Sequence, residues 1–217
     1  MARKLDEVIE SIQLPEDTFK VMTTDNAANM KVACRESTTI TQGFTCFAHT
    51  LNLVVNNGIK KVAKIQVAME QFKKLAGACH KSTLHCERIR RECGDLNKSG
   101  TTPVNYIKII QPVETRWNSA LIMVKSIIQL RPALEAIRES SGRSTDPHLI
   151  ELIPDSEEFD LMDSLIDQLT KFEEVSTFMS SESNPTICWI IQKVFYLQTT
   201  LSNTIAGAQG LDDDSLR

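Results

Sequence analysis

Between residues 68 and 93 the apolar side chains keep to one side of a helix. Ala68, Phe72, Leu75, Cys79, Ser82, Cys86, Ile89 and Cys93 recur at alternating steps of four and three. That is the stripe of a helix packed on other helices. A strand, with its period of two, cannot gather them on one face. The spacing predicts one long helix here. Helical spacing returns at Leu5, Val8, Ile9 and Ile12 before Pro15, over 26–36, from 50 onward, over 117–137 with a bend at Pro132, over 161–179 and over 187–205. Strand signals are confined to 19–24 and to FTCFAH at 44–49. Composition marks 37–43 and 94–103 as loops and 139–147 as a linker. Two strands do not make a stable sheet alone. Either further strands escape the pattern, or the chain is a piece of something larger.

Charge is more informative by position than in total. The 217 residues carry a formal net charge of −4, so the chain as a whole makes no electrostatic case for nucleic acid. Yet 59–93 holds nine Lys and Arg against three acids, and 135–182 holds three against thirteen. Opposite charge in two segments implies different partners, or each other. No stretch has the roughly 18 apolar residues of a membrane span, which excludes a helical membrane anchor within these residues. The start, MARKLDEVIES, lacks the apolar core of a secretory signal. The six Cys form no C-x-x-C pair and read as reduced thiols of an intracellular protein. Nucleotide-binding glycine motifs, a nucleophile elbow and a Ser/His/Asp set are all missing from the pattern.

Four sites carry candidate chemistry. Asp25 follows a strand and precedes a helix. A carboxylate there is either a metal or substrate ligand or a helix N-cap. Cys46 and His49 form half a zinc pattern, but structural zinc takes four ligands. Cys79, Cys86 and Cys93 are seven apart, about 10 Å along a helix, so they cannot meet on one ion. Buried thiols acting as small apolar groups fit them better. Arg116 can grip a phosphate with two hydrogen bonds, and Trp117 beside it is either core or a stacking platform for an unpaired base. Lys60, Lys61 and Lys64 open a basic stretch with two readings. It lies on a phosphate backbone, or it pairs with the acidic segment.

TTDNAANM, CFAHTLNLVV, TRWNSALIMV and LTKFEEVSTFMSSESNPTI occur in that order along nearly the whole chain. Together they resemble the hAT transposase family, and most of all the BED-zinc-finger proteins domesticated from such transposases. The resemblance implies an α/β remnant, a partial RNase H-like fold at 1–57, followed by part of a mainly α-helical insertion domain at 58–217. It makes Asp25 the second of three metal-binding carboxylates. It makes Cys46 and His49 the family's Cys-x-x-His pair, and Arg116 and Trp117 an Arg-Trp pair whose Trp stacks on a flipped-out base. Complete members use Mg or Mn for DNA cleavage and strand transfer, bind zinc in a BED finger, and dimerise through a C-terminal segment. The first strands with their Asp, the last Glu, the finger and that segment find no match here. The expectation is therefore a non-catalytic portion of a nuclear DNA-binding protein, with DNA as partner and no metal held by this chain. A portion of an active transposase and a decayed helical interaction module are the alternatives.

Overall fold

The computed structural model describes residues 1–15, 17–100, 103–112, 117–140, 146–181 and 186–214, with side chains through 204. Its ordered elements are α1 (Ala2–Ser11), β1 (Val21–Thr24), α2 (Ala28–Glu36), β2 (Gln42–Thr45), α3 (Phe47–Lys61), α4 (Ala63–Lys81), α5 (Thr83–Ser99), α6 (Trp117–Gln129), α7 (Arg131–Glu139), α8 (Pro147–Leu152), α9 (Ser156–Met179) and α10 (Ile190–Asp214). The chain divides into two compact units. One comprises Met1–Val54 with Val175–Gln198, the other Val55–Glu174 with Thr199–Arg217. Among the described residues no helix is long and apolar enough to cross a membrane.

In the first unit β1 and β2 pair in parallel, with Val21 opposite Gln42 and Thr24 opposite Thr45. Parallel neighbours need a crossover, and α2 supplies it. The helix sits close to β2. A Cβ on Gly43 would stand 3.0 Å from the Cβ of Cys34, so any larger residue would require Cys34 to shift. Every residue of β2 is exposed, although parallel strands ordinarily have both faces covered. The second strand is shorter than its sequence signal. Cys46 donates its N–H to the Thr24 carbonyl, and from Phe47 the chain is helical. FTCFAH is thus half strand and half helix, because β1 ends at Thr24 and offers nothing further to pair with.

The second unit is a helical core of Phe72, Leu75, Ile89, Ile127, Leu134, Phe159 and their neighbours, each of these six at most 1% exposed. The expected single helix over 68–93 is two. Ser82 is extended (φ −123°, ψ 111°) and its Oγ accepts the His85 N–H at 3.3 Å. A serine N-cap contributes about 1 kcal/mol to the new helix. The break leaves the Cys79 carbonyl near the end of α4, and the Cys86 thiol donates to it at 3.1 Å. The apolar stripe survives the break, with Cys79, Ile89 and Cys93 all buried. Burial, with the Cys86 thiol beside it, pushes the Cys79 thiol up to about 12. Burial likewise raises Cys93.

Four further boundaries differ from the sequence expectation. The supposed loop at 94–103 is helical through Ser99 and ends on Gly100 in the left-handed region (φ 69°). The Asn97 side chain then holds Val104, accepting its N–H at 2.7 Å and donating to its carbonyl at 2.9 Å. The helix expected over 117–137 is interrupted at Leu130 rather than bent, with Pro132 in the first turn of α7, where its missing N–H is not needed. The linker 139–147 is described only in part, and α8 begins at Pro147 behind the N-cap Asp146. The helix α9 starts five residues early, because Asp155 and Glu158 exchange backbone N–H bonds at 2.8 and 3.0 Å.

A carboxylate fastens α1. Asp6 accepts from the Ser37 hydroxyl, the Thr39 hydroxyl at 2.8 Å and the Thr38 and Thr39 amides at 3.3 Å. These bonds, the Ser37 hydroxyl foremost, lower its pKa from 3.8 to about 2. A depressed folded-state pKa gives stability that is present above the ordinary value and lost as pH falls through the folded one. Protection of α1 amides, taken relative to the intrinsic exchange rate at each pH, should therefore fall between pH 4 and pH 2. Asp6→Asn should reproduce the loss at neutral pH; α1 protection equal to the parent's would refute the anchor.

Candidate nucleic-acid interface

In the first unit the chain leaves β1 at Asp25 and β2 at Cys46, one step beyond the paired Thr24 and Thr45. Asp25 Oδ1 accepts the Ala27 N–H at 3.2 Å, so the carboxylate shapes the turn into α2 while Ala27 occupies the N-cap position. Asn26 reaches the Thr50 hydroxyl at 3.4 Å, and that hydroxyl bonds the Cys46 carbonyl at 3.0 Å. This ties the turn after β1 to the first turn of α3, which carries His49. Among the described residues no three His, Cys, Asp or Glu side chains converge as a metal site would require. One carboxylate engaged in a turn does not fit the multi-carboxylate donor set of a two-metal phosphoryl-transfer centre, and no step is derived through such a centre.

The second unit brings two of the candidate residues together. Lys60, at the end of α3, and Trp117, at the start of α6, line one cavity of about 650 Å³, with Asn56, Gln66, Lys73 and Gln111. The Gln66 amide caps the Lys60 carbonyl, which fixes the turn from α3 into α4. Trp117 is 4% exposed and packs with Val55, Leu121 and Leu169. Most of its ring is therefore core, and only a small part of its surface is left to the cavity. Arg116 lies outside the described residues. Lys61 and Lys64 are exposed but do not line the cavity. Sequence reasoning missed Gln66 and Gln111, since isolated glutamines carry no periodic signal. It counted Lys73 only as one charge among nine. Lys73 is held by Glu70 at 3.0 Å, an i,i+3 pair that the spacing already allowed.

The two charged segments do not neutralise each other. The acidic segment meets bases from elsewhere: Glu173 takes Lys125 at 2.7 Å, while Asp160 and Glu135 take Arg131 at 2.6 and 2.7 Å. Among the described residues, the ion pair it makes with the basic segment is His85 Nε2 to Asp146 Oδ2 at 3.3 Å. Among the described residues Lys60, Lys61, Lys64, Lys74, Lys81 and Arg91 have no acidic partner. Arg90 likewise has no acidic partner and lies over the Tyr106 ring, 4.6 Å from its centroid.

Residues 44–167 match the family model of the ZBED1 RNase-like helical domain. Over 167 residues the chain is 24% identical to the human zinc finger BED domain-containing protein 4, covering 77% of this chain and 13% of that protein. It is 30% identical over 138 residues to the putative AC transposase of Zea mays, covering 62% of the chain and 15% of the transposase. A putative AC9 transposase of the same plant is 33% identical over 101 residues, 45% of the chain and 11% of the relative. The chain thus spans about a seventh of the length of the first two relatives.

The burial of Trp117 is directly measurable, because Trp189 is 45% exposed and can be removed. In Trp189→Phe the remaining emission should be blue-shifted and resist acrylamide. Trp117→Ala should cost about 3–5 kcal/mol in urea unfolding. Emission at the wavelength of a solvated indole would overturn the packing described.

Proposed function

Since the chain belongs to the family of the ZBED1 RNase-like helical domain, related to hAT transposases and BED-type proteins derived from them, we propose that it is a non-catalytic DNA-binding portion of a nuclear, transposase-derived protein. The observation that carries this reading is the uncompensated basic stretch from α3 to α5. Pairing with the acidic segment was its competitor; three of that segment's thirteen acids, Glu135, Asp160 and Glu173, are engaged by Arg131 and Lys125. Lysines on phosphates supply affinity that is indifferent to sequence and steep in salt. In this reading Lys60, Lys61 and Lys64 contact the backbone, and Arg116 adds a further phosphate contact. The cavity beside Lys60 falls within the ~300–1,000 Å³ of small-ligand pockets, but Trp117, 4% exposed, has no free face on which an unpaired base could stack. The first unit, with a parallel strand pair and Asp25 at the strand end, is read as descended from an RNase H-like domain. Cys46 and His49 shape its passage into α3.

Binding of this chain to labelled duplex should weaken with a slope of about −0.9 in log affinity against log salt for each phosphate neutralised. Replacing Lys60, Lys61 and Lys64 by Ala should flatten that slope by up to ~0.9 per lysine and act evenly across sequences. Salt-independent or absent binding would favour a helical interaction module instead. With Mg²⁺ or Mn²⁺ the chain alone is expected neither to nick nor to join DNA, since Asp25 supplies one carboxylate where a metal pair needs several. Nicking abolished by Asp25→Asn would reverse that conclusion.

A further inference from the structure

We propose that the cleft between α4 and α8 seats the phosphates of a DNA strand, held by Lys74 and Lys81 across an open glycine floor with His148 on the facing helix. The proposal rests on the DNA-binding reading above and adds a site to it, separate from Lys60, Lys61 and Lys64. The cleft is shallow and open to solvent, lined by Lys73, Lys74, Gly77, Lys81 and His148, with a volume of about 460 Å³. Lys74, Gly77 and Lys81 follow at steps of three and four, so they share one face of α4. Seven residues advance a helix by about 10 Å, too far for both ammonium groups to serve one phosphate and suited to successive phosphates of one strand. His148 has an N–H to donate in either protonation state.

Two of the acids nearby, Glu70 and Asp146, are already committed, whereas Glu151 on α8 has no ion pair among the described residues. Glu70 holds Lys73 at 3.0 Å, which leaves Lys74 and Lys81 as the free charges. Asp146 accepts the Leu149 N–H at 3.1 Å through one oxygen and faces His85 at 3.3 Å through the other. Gly77 is the second, independent observation. Glycine is the poorest helix former after proline, and nothing lies within 4 Å of a Cβ placed there, so packing does not require it. Gly58 and Gly94 are equally open, but neither lines a described cavity. At the floor of a lysine-lined cleft the missing side chain lets an anion approach the helix.

The test is fluorescence anisotropy of a short labelled duplex with the whole chain, from about 50 to 200 mM salt. Lys74→Ala with Lys81→Ala should flatten the salt slope by about 1.8, twice the ~0.9 of one phosphate contact. Lys98→Ala, which removes a charge already paired with Asp95 at 3.0 Å, should leave the slope unchanged. Gly77→Gln should melt at or above the parental temperature and bind more weakly, because it fills the floor without altering charge. A parental slope in the double variant, while Lys60, Lys61 and Lys64 still matter, would overturn the cleft and leave the DNA reading standing. No salt-dependent binding by the parent would overturn both. Parental affinity in Gly77→Gln would mean an open charge patch and end the case for a cleft. Displacement of the duplex by inorganic phosphate at matched ionic strength, where chloride fails, would assign the cleft to free anions instead.

Discussion

Phe72 and Phe159 meet edge to face in the helical unit, ring centroids 5.7 Å apart and both fully buried. Aromatic pairs in this geometry add about 0.5–1.5 kcal/mol to what their burial contributes. Arg131 lies over the outer side of the pair, its guanidinium 5.2 Å from the Phe159 centroid. Hydrogen bonds to Asp160 and then Glu135 raise its pKa above the ordinary value and hold it there. Three helices are fixed by this one contact: α4 through Phe72, α9 through Phe159 and α7 through Arg131. Its orientation decides the rest of α4. With Phe72, Leu75, Ala76 and Cys79 turned inward, the 3.6-residue period sends Lys74, Gly77 and Lys81 to the opposite side. The basic cleft is therefore a consequence of the core.

The two charged segments pack against each other through this contact, but their charges are paired elsewhere. Arg131 draws Glu135 and Asp160, and Lys125 draws Glu173. Exposed ion pairs of this kind contribute at most about 1 kcal/mol each. Their importance here is spatial. The cations of α3, α4 and α5 are left facing solvent, and a polyanion rather than the chain's own carboxylates becomes their natural counterpart.

Much of the fold was legible wherever local chemistry and tertiary packing agreed. The stripe at Phe72, Leu75, Cys79, Ile89 and Cys93 named the core face correctly, and all five are buried. The parallel pairing of the two strand segments followed from a helix between them. The stripe said nothing of the break at Ser82, because periodicity continues through it and the deciding features are a serine Oγ on the His85 amide and a thiol on the Cys79 carbonyl. FTCFAH divides between strand and helix because its partner strand ends at Thr24, which no property of those six residues encodes. Trp117 and Lys60 were each singled out, but nothing in a linear pattern places residues 57 positions apart against one cavity, or adds Gln66 and Gln111 to its walls.

The sequence by itself determined that the chain is mainly helical, which face of its long stripe is apolar and where charge of each sign accumulates, since these depend on side-chain type and spacing alone. The order of its four motifs also determined the family to which the chain belongs. Only the tertiary structure decided that Trp117 packs as core, that Asp25 closes a turn onto the Ala27 amide, and which acids meet which bases. It alone set Lys74 and Lys81 across Gly77 opposite His148. Each of those outcomes turns on a contact between segments far apart in the chain. Such contacts are selected by shape and burial over the whole unit, which no local stretch of sequence contains.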